Sequence, residues 1–558
     1  MKQIRIHTLA LVAALCVLSV SSCKDDKSAD TTEKKSRKPF AWFRHIIGNF
    51  SSQDTIFFDS TYIDRFLADY DAFKPYESDI RRFYRDRKYA YAWFEDDGII
   101  EQSNNLYARV QQTEDDGLEQ PLPYQDRFAE LMDRPNKKAT RQELELMLTS
   151  QYLSLATIAW KGLSEKEQKA LGWFIPRKKL SYTEFLDSML QDPSDSFLED
   201  EPVNPMYQAL RAQLKRYTEI DSTTKWTKIP DIKKPVRPGD SSFIIPAVRE
   251  RLIVLGELNK KADTGNIYDD ALETAVIRYQ DHHGLKNDGL IVNAVIHDLN
   301  VPVSDRIEQI VVNMERTRWL PQQLTSKPSY ILVNIPEYKL HIIESNKEVW
   351  NCNVVVGDTG NKTVVFTGMM NHVVFSPNWN VPESIVKDEI IPSMEKDPEY
   401  LQKQDLEITG ERNGLPVVRQ KPGAENSLGL VKFMFPNTHN IYLHDSPAKE
   451  LFNRNARAFS HGCVRVSEPD RLASYVLRDM PEWNEDRINE AMNNGEEKYV
   501  TLKTKVPVFI VYFTAWVDNA GALNFRKDIY QNDARLARMI LKRNMQATAA
   551  VKSPSKTS

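Results

Sequence analysis

The chain has 558 residues and a net charge of -4 at pH 7, with 74 basic against 78 acidic side chains. This length exceeds what one hydrophobic core usually supports, so three or four domains of about 100 to 200 residues each are expected. The near balance of charge excludes a strongly basic nucleic-acid-binding protein, and no nucleic-acid partner is expected.

The first 22 residues have the pattern of an export signal. Two basic residues precede an apolar run from Leu9 to Val20, which is shorter than the roughly 20 residues that cross a bilayer. A Val-Ser-Ser-Cys sequence then ends at Cys23 and resembles the lipobox of bacterial lipoproteins. The resemblance implies that Cys23 carries lipid and anchors the mature protein to a membrane. The alternative is an ordinary secretory signal with an incidental cysteine.

Residues 23–54 are predicted to be the lipid anchor and a flexible tether, because the stretch up to Lys38 is charged and has no apolar face. Its first residues, Lys24-Asp25-Asp26, also resemble the surface-export signals of some Gram-negative lipoproteins. We therefore expect a membrane-anchored lipoprotein of the periplasm, in the cell envelope of a Gram-negative-type bacterium.

Residues 55–228 are predicted to be a helical scaffold domain, because apolar residues recur at three- and four-residue steps. The clearest sets are Ile63, Phe66, Leu67 and Tyr70, and Leu144, Leu148, Tyr152 and Leu155. A linker with three prolines follows at 229–240 and marks a domain boundary.

Residues 241–302 are predicted to be a small module of three amphipathic helices with turns at Gly284 and at Asp288-Gly289. The order of its helix and turn residues resembles the three-helix peptidoglycan-binding domain. The alternative is a structural spacer of the same fold, because the matching positions are mainly core and turn residues.

Residues 303–328 are predicted to be a connecting helix, and residues 329–530 a β-rich domain. The strand patterns cover 330–335, 339–343, 351–356 and 372–375, and their regular spacing favours a β-sandwich. The strand pattern stops at 382–429, where helical spacing and a loop predict an insertion that is either a lid or surface decoration. A C-terminal helix and polar tail are expected at 531–558.

The segment from Tyr442 to Val466 concentrates the reactive side chains, with two of the ten histidines and one of the four cysteines. A thiol nucleophile needs a nearby base, and His444 lies nineteen residues before Cys463, so the fold must bring the two together. A zinc site at His444, His461 and Cys463 is disfavoured, because no fourth ligand has convincing spacing.

Cys352 is the other cysteine of the exported domain, and its position in an alternating strand pattern favours a buried thiol. In an oxidising compartment it could instead form a disulfide with Cys463, which would silence the site.

The sequence Ser460-His461-Gly462-Cys463, preceded by a remote histidine, resembles the L,D-transpeptidases, whose catalytic module is the YkuD domain. The following Cys-Val-Arg-Val is similar to the larger YcbB-type subgroup. Further similar segments are Val312-Asn-Met-Glu-Arg316, Val333-Asn-Ile-Pro336, Pro377-Asn-Trp-Asn-Val-Pro382 and Thr514-Ala-Trp-Val-Asp518. The resemblance implies a multidomain α+β protein with scaffold, peptidoglycan-binding-like module, YkuD-type catalytic domain and inserted lid.

The resemblance also implies a reaction. Cys463 would attack the third-residue carbonyl of a peptidoglycan tetrapeptide stem, release the terminal residue and form a thioester. An amine of a second stem would then resolve the thioester and join two third-position diamino acids. No cofactor or metal is expected, and a carbapenem is the expected covalent inhibitor.

Roles for individual residues follow from the same resemblance. His444 is the expected base, and the backbone carbonyl of Asp445 would orient its imidazole. The remaining candidates are the amides of Gly462 and Cys463 with the Tyr442 hydroxyl as oxyanion donors, Arg465 as a carboxylate ligand, His461 as a turn or substrate residue, and Ser460 as a turn residue. Tyr442 could instead be a core residue, and Arg465 a structural ion-pair partner.

Three other functions share these features. Water could resolve the thioester in an L,D-carboxypeptidase, or a protein lysine could resolve it and attach a protein to the wall. A non-catalytic wall-binding lipoprotein is the third alternative, which the intact Ser-His-Gly-Cys sequence disfavours.

Overall fold

The computed structural model describes residues 56–95, 98–118, 121–177, 180–191, 201–259, 265–321 and 328–549. The predicted signal, Cys23 and the tether lie outside the described residues, as do the last nine residues of the polar tail. Among the described helices, none is both long and apolar enough to cross a membrane.

The region before residue 224 is mainly helical, as the apolar periodicity predicts. Its α-helices and one short hairpin are α1 Thr61–Asp69, α2 Glu77–Asp86, β1 Phe94–Glu95, β2 Gly98–Ile99, α3 Glu101–Gln111, α4 Gln125–Asp133, α5 Arg141–Leu155, α6 Glu165–Ala170, α7 Tyr182–Gln191 and α8 Pro205–Thr223. Helix α5 is central, because Leu144, Leu148 and Tyr152 are fully buried among residues of the other helices. Its Glu145 is also buried and accepts the backbone N–H groups of Ala92 and Trp93 at 2.7 and 3.1 Å.

The three helices predicted for the small module are present as α9 Ile245–Val254, α10 Asp270–His282 and α11 Asn293–Leu299. Their apolar faces meet in one separate core. Asp269 caps α10 by accepting the Leu272 N–H at 2.8 Å, and Gln280 accepts the N–H groups of both Asp288 and Gly289 in the turn. Local sequence signals therefore specify this module well.

The C-terminal region begins with helix α12 and continues into strands. The elements are α12 Val303–Arg318, β3 Ser329–Asn334, β4 Lys339–Glu344, β5 Lys347–Gly357, β6 Phe366–Phe375, β7 Trp379–Asn380, α13 Glu383–Ile385, α14 Ile391–Lys396, α15 Tyr400–Lys403, β8 Leu406–Arg412, β9 Leu415–Gln420, β10 Val431–Met434, β11 Leu443–His444, β12 Ala458–Ser460, β13 Val464–Val466, α16 Pro469–Val476, α17 Glu485–Asn493, β14 Lys498–Val511, β15 Ala515–Val517, β16 Leu523–Phe525 and α18 Asp533–Ala549.

Nine of these strands form one mixed sheet in the order β12-β5-β13-β11-β10-β6-β14-β3-β4. Strand β4 also pairs with β5, so the sheet closes on itself. Its inward side chains, such as Ile331, Val354, Val373, Val464 and Ile510, are fully buried in a common core. The prediction of a β-rich domain is confirmed, and the closure is a property that the strand pattern did not specify.

The insertion at 382–429 is a small unit with its own core, in which Val386, Ile390 and Val418 are buried. It contains the predicted helices, but the prediction that strands stop there is wrong. Strands β8 and β9 pair antiparallel, and β9 also pairs with β7. The sequence of strand β8 does not alternate between apolar and polar residues, because both faces of the strand are largely exposed.

Cys352 lies in β5 and is only 3% exposed, so the predicted buried thiol is confirmed. Burial raises the pKa of its thiol to about 12. Cys352 and Cys463 are both free, and the alternative disulfide between them is not formed.

Candidate active site

The candidate site is built on the parallel pairing of β11 with β13. In this register Leu443 lies opposite Val464 and His444 lies opposite Arg465. Leu443 and Val464 point into the core and are fully buried. Because side chains alternate along a strand, Tyr442, His444, Cys463 and Arg465 share the other face. The pairing thus closes the nineteen-residue gap in sequence.

A tight turn presents the thiol at the start of β13. Gly462 has a φ of +108°, a region that glycine adopts without strain. The Ser460 hydroxyl accepts the Gly462 N–H at 3.2 Å and donates to the Cys463 carbonyl at 2.5 Å. Thr363 donates to the Gly462 carbonyl at 2.8 Å. Ser460 is therefore a turn residue, and the Gly462 amide predicted as an oxyanion donor is already used within the turn.

The Cys463 thiol is partly buried beside Tyr442 and Arg465. Its Sγ lies 3.7 Å from the backbone carbonyl oxygen of Asn440, the acceptor of its weak S–H hydrogen bond. Burial raises the pKa of the thiol, whereas hydrogen bonding with Tyr442 and the charge of Arg465 act in the opposite direction. The thiol is therefore protonated near neutral pH.

His444 is 4% exposed. Burial, followed by repulsion from Arg465, lowers the pKa of its imidazole to about 3, while backbone groups of Asp445 and Leu428 oppose this shift. Among the described residues its Nδ1 has no hydrogen-bonding partner of good geometry. The imidazole is therefore neutral near pH 7 and able to accept a proton.

The side chain of Asp445 has a structural task. Its carboxylate accepts the Leu430 N–H at 3.0 Å and forms an ion pair with Lys449. It occupies the space beside Gly429, where an added Cβ would come within 2.4 Å of it. Asp445 thus holds the end of the insertion against the strand that carries His444.

Arg465 lies on the same face as Cys463 and is partly buried. Within the described residues the charge of Glu450 acts on Arg465 without a close ion pair, and the buried Nε has no hydrogen-bond acceptor there. The alternative of a structural ion pair is not supported by this geometry. An unpaired guanidinium beside a nucleophile can bind a carboxylate group of a substrate.

His461 has its ion-pair contact with the insertion. Its Nε2 lies 2.8 Å from Oε1 of Glu389 in the insertion, and both side chains are about half exposed. Tyr442 has a partly buried ring 5.7 Å from that of His444, between ring centroids. The structure therefore joins Tyr442 with the reactive pair and joins His461 with the insertion.

Several contacting residues escaped the sequence prediction, among them Thr363, Leu428, Asn440 and Glu389. Leu428 and Asn440 act through backbone groups, which leave no side-chain signature. Only Asn440 had a usable signal, because asparagine is common at left-handed positions and its φ is +56°.

A cavity of about 310 Å³ lies away from Cys463, among α8, the three-helix module and the β15–β16 hairpin. Within the residues that the structure describes, no group of three or more His, Cys, Asp or Glu side chains is placed to hold a metal ion.

Residues 328–508 match the model of the L,D-transpeptidase catalytic domain, YkuD, and residues 78–214 match that of the Scaffold domain. The β-rich region is a YkuD-type L,D-transpeptidase domain. A Haemophilus influenzae protein named "Putative L,D-transpeptidase" is 31% identical over 248 residues, which are 42% of this chain and 50% of that protein. The chain thus spans about half the length of this curated relative.

Solved structures overlap the chain only in part. An L,D-transpeptidase from Mycobacterium smegmatis is 11% identical, with a TM-score of 0.18, over 33% of this chain and 58% of that one. An L,D-transpeptidase from Stackebrandtia nassauensis is 12% identical, with a TM-score of 0.21, over 52% and 97%. At such scores the YkuD assignment depends on the sequence match and not on these overlaps.

Proposed function

We propose that the chain is a lipid-anchored L,D-transpeptidase that joins third-position diamino acids of peptidoglycan stems through a thioester at Cys463. The observation that carries the proposal is the β11–β13 register, which places Cys463, His444, Tyr442 and Arg465 on one face of a YkuD-type sheet. A neutral thiol and a neutral imidazole that share a strand face can exchange a proton during attack.

In the proposed reaction Cys463 Sγ attacks the carbonyl carbon of the third stem residue while His444 accepts the thiol proton. The tetrahedral intermediate collapses, the bond to the fourth residue breaks, and the leaving amine takes the proton from His444. The amine of a second stem then attacks the thioester carbonyl and gives its proton to His444. The carbon–sulfur bond breaks, and His444 passes that proton to Sγ, which restores the Cys463 thiol and the neutral imidazole.

The other residues hold and orient the substrate in this proposal. Because the Gly462 N–H is bonded to Ser460, the oxyanion would be bound by the Cys463 N–H and the Tyr442 hydroxyl. Arg465 would bind a stem carboxylate. The carbonyl of Asp445 would orient the His444 imidazole when the base is protonated.

The insertion fits the proposal as a lid. Its Glu389 contacts His461 of the reactive turn at 2.8 Å, and its last residues lie beside His444 and Asp445. This contact favours the lid over surface decoration. The three-helix module is proposed to bind the wall, with Cys23 holding the protein at a periplasmic membrane surface.

A carbapenem reaction tests the nucleophile. Incubation with a carbapenem should add the mass of one inhibitor molecule to the purified wild type and to the Cys352→Ala variant. The Cys463→Ala variant should keep its original mass. The absence of an adduct on the wild type, or its persistence in Cys463→Ala, would falsify the assignment.

The acceptor is tested by digesting cell wall treated with the enzyme. New dimers linked between third residues are expected. Shortened stems without such dimers would identify a carboxypeptidase instead.

A further inference from the structure

The loop between β10 and β11 places a backbone carbonyl at the nucleophile. The Asn440 carbonyl oxygen lies 3.7 Å from Cys463 Sγ, and Asn440 is held in the left-handed region at a φ of +56°. Asn437 braces the loop, because its Nδ2 donates to the carbonyls of Phe435 and Ile441, both at 2.7 Å. The direction of the Asn440 carbonyl therefore depends on how this loop is held.

A segment of the scaffold region is joined to the catalytic sheet close to that loop. Phe174 donates its N–H to the Val365 carbonyl at 2.7 Å, and Val365 donates to the Gly172 carbonyl at 3.1 Å. The intervening Trp173 is 3% exposed and packs against Trp319, with ring centroids 5.1 Å apart. This segment is thus fixed by both backbone and side-chain contacts.

The Phe174 ring contacts the loop directly. Its centroid lies 4.7 Å from that of His439, the residue before Asn440. The His439 ring also lies 5.2 Å from Phe366, the first residue of β6. His439 is therefore held between a ring of the scaffold region and a ring of the catalytic sheet.

We propose that Phe174 and His439 are positioning residues through which the scaffold region holds the Asn440 carbonyl against the Cys463 thiol. An acceptor at the S–H bond stabilises the protonated thiol and fixes its rotamer before substrate binds. The scaffold region thereby influences the nucleophile through one aromatic contact and one turn of backbone. The inference deepens the proposed function but concerns the thiol itself.

The pH profile of Cys463 alkylation tests this without any cell-wall substrate. The purified full chain is treated with iodoacetamide from pH 6 to 10.5, and the Cys463 peptide is quantified by mass spectrometry. In Phe174→Ala the loop between β10 and β11 loses a packing contact, and the Asn440 carbonyl moves away from the Cys463 thiol. Because the protonated thiol then loses its hydrogen-bond acceptor, the alkylation profile should move to lower pH by about half a unit. Phe174→Tyr keeps the ring and should retain the wild-type profile.

Matched variants separate positioning from loss of stability. Phe185→Ala removes a partly buried scaffold ring that packs against Trp160 and should leave the profile unchanged. The titratable groups facing the thiol and its base stay in every variant, namely Tyr442, His444, Arg465 and Lys432.

A variant on the other side of the contact keeps the proposal testable if Phe174→Ala folds poorly. His439→Ala alone should give the same shift, and adding Phe174→Ala should not increase it, because both act through one contact. An unmoved profile in both single variants, an equal shift in Phe185→Ala, or additive shifts would overturn the proposal. Because alkylation needs only a reactive thiol, a failed transpeptidase assay would leave this result unaffected.

Discussion

At the scale of single residues, the site separates reactive groups from the groups that hold them. His444 and Cys463 are both neutral near pH 7, since burial lowers the pKa of the imidazole and raises that of the thiol. The side chains of Ser460 and Asp445 instead form hydrogen bonds with nearby backbone groups. The arrangement favours proton transfer during attack over a standing thiolate–imidazolium pair.

The resting protonation state can be measured by thiol reactivity. Iodoacetamide should alkylate Cys463 slowly at pH 7 and increasingly above the ordinary thiol pKa, because the folded-state pKa is raised. His444→Ala should change this profile little, since the imidazole carries no charge above about pH 3. A reactive plateau near pH 6 that disappears in His444→Ala would instead indicate an ion pair.

At the scale of elements, an exposed pair joins the insertion and the reactive turn. The Glu389–His461 contact joins them at 2.8 Å, yet both side chains are about half exposed. Such a pair typically contributes about 0 to 1 kcal/mol. It therefore biases the position of the insertion without locking it.

Removing that pair should loosen the insertion. In Glu389→Gln, amide hydrogen exchange in residues 382–429 should rise by up to about fivefold, as expected for a loss below about 1 kcal/mol. Glu399→Gln is a matched control, because Glu399 pairs with Lys403 inside the insertion. Equal exchange in the wild type and Glu389→Gln would argue against a holding role for this contact.

Strands β4 and β5 carry a buried charged group that should make stability depend on pH. His341 lies between Glu337 and Glu348, at 3.0 and 2.6 Å. Burial alone would lower its pKa, but the two carboxylates raise it to about 9. Its stabilising contribution is complete below about pH 6.5 and is lost as pH rises through 9.

Thermal unfolding between pH 6 and 10 checks this. The wild type should lose about 2 to 3 kcal/mol over that interval through His341. His341→Gln should be less stable at pH 6 and should show a flatter pH dependence. His297→Gln is the control, since His297 and its partner Asp231 are both largely exposed. Parallel curves for wild type and His341→Gln would contradict the assignment.

At the scale of the whole molecule, Glu315 of α12 connects distant parts of the chain. It is fully buried and accepts the Leu163 N–H, Trp319 Nε1 at 2.9 Å, and charged donors from Arg318 and Arg543. Burial alone would raise its pKa, but Arg543 and Arg318 hold it at about 2. One carboxylate thus links the scaffold region, α12 and the C-terminal helix α18.

Neutralising that carboxylate should be costly. Glu315→Gln should lower the free energy of unfolding by about 3 kcal/mol, because the buried Arg318 and the partly buried Arg543 lose their charged partner. Urea denaturation measures this loss. Glu308→Gln, an exposed change on the same helix, should remain within about 0.5 kcal/mol of wild type. Similar losses in both variants would show that Glu315 has no special role.

Local sequence patterns were sufficient to predict many of the helices and strands of this protein. The helical scaffold, the three helices of the module, the strands around Cys352 and the reactive segment all have periodic or capping signals that depend on near neighbours. The insertion was harder, because the exposed strand β8 has no buried face to create an alternation.

By itself, the sequence determined the chemistry available: a thiol in a Ser-His-Gly-Cys turn, a histidine nineteen residues before it, and an arginine two residues after it. Only the tertiary structure decided which groups meet. The parallel register of β11 and β13 places His444 on the same face as the thiol. His461 contacts Glu389 of the insertion, and the Phe174 ring of the scaffold region contacts His439 in the loop that carries Asn440. These contacts depend on backbone pairing and packing between remote segments, which spacing along the chain does not encode.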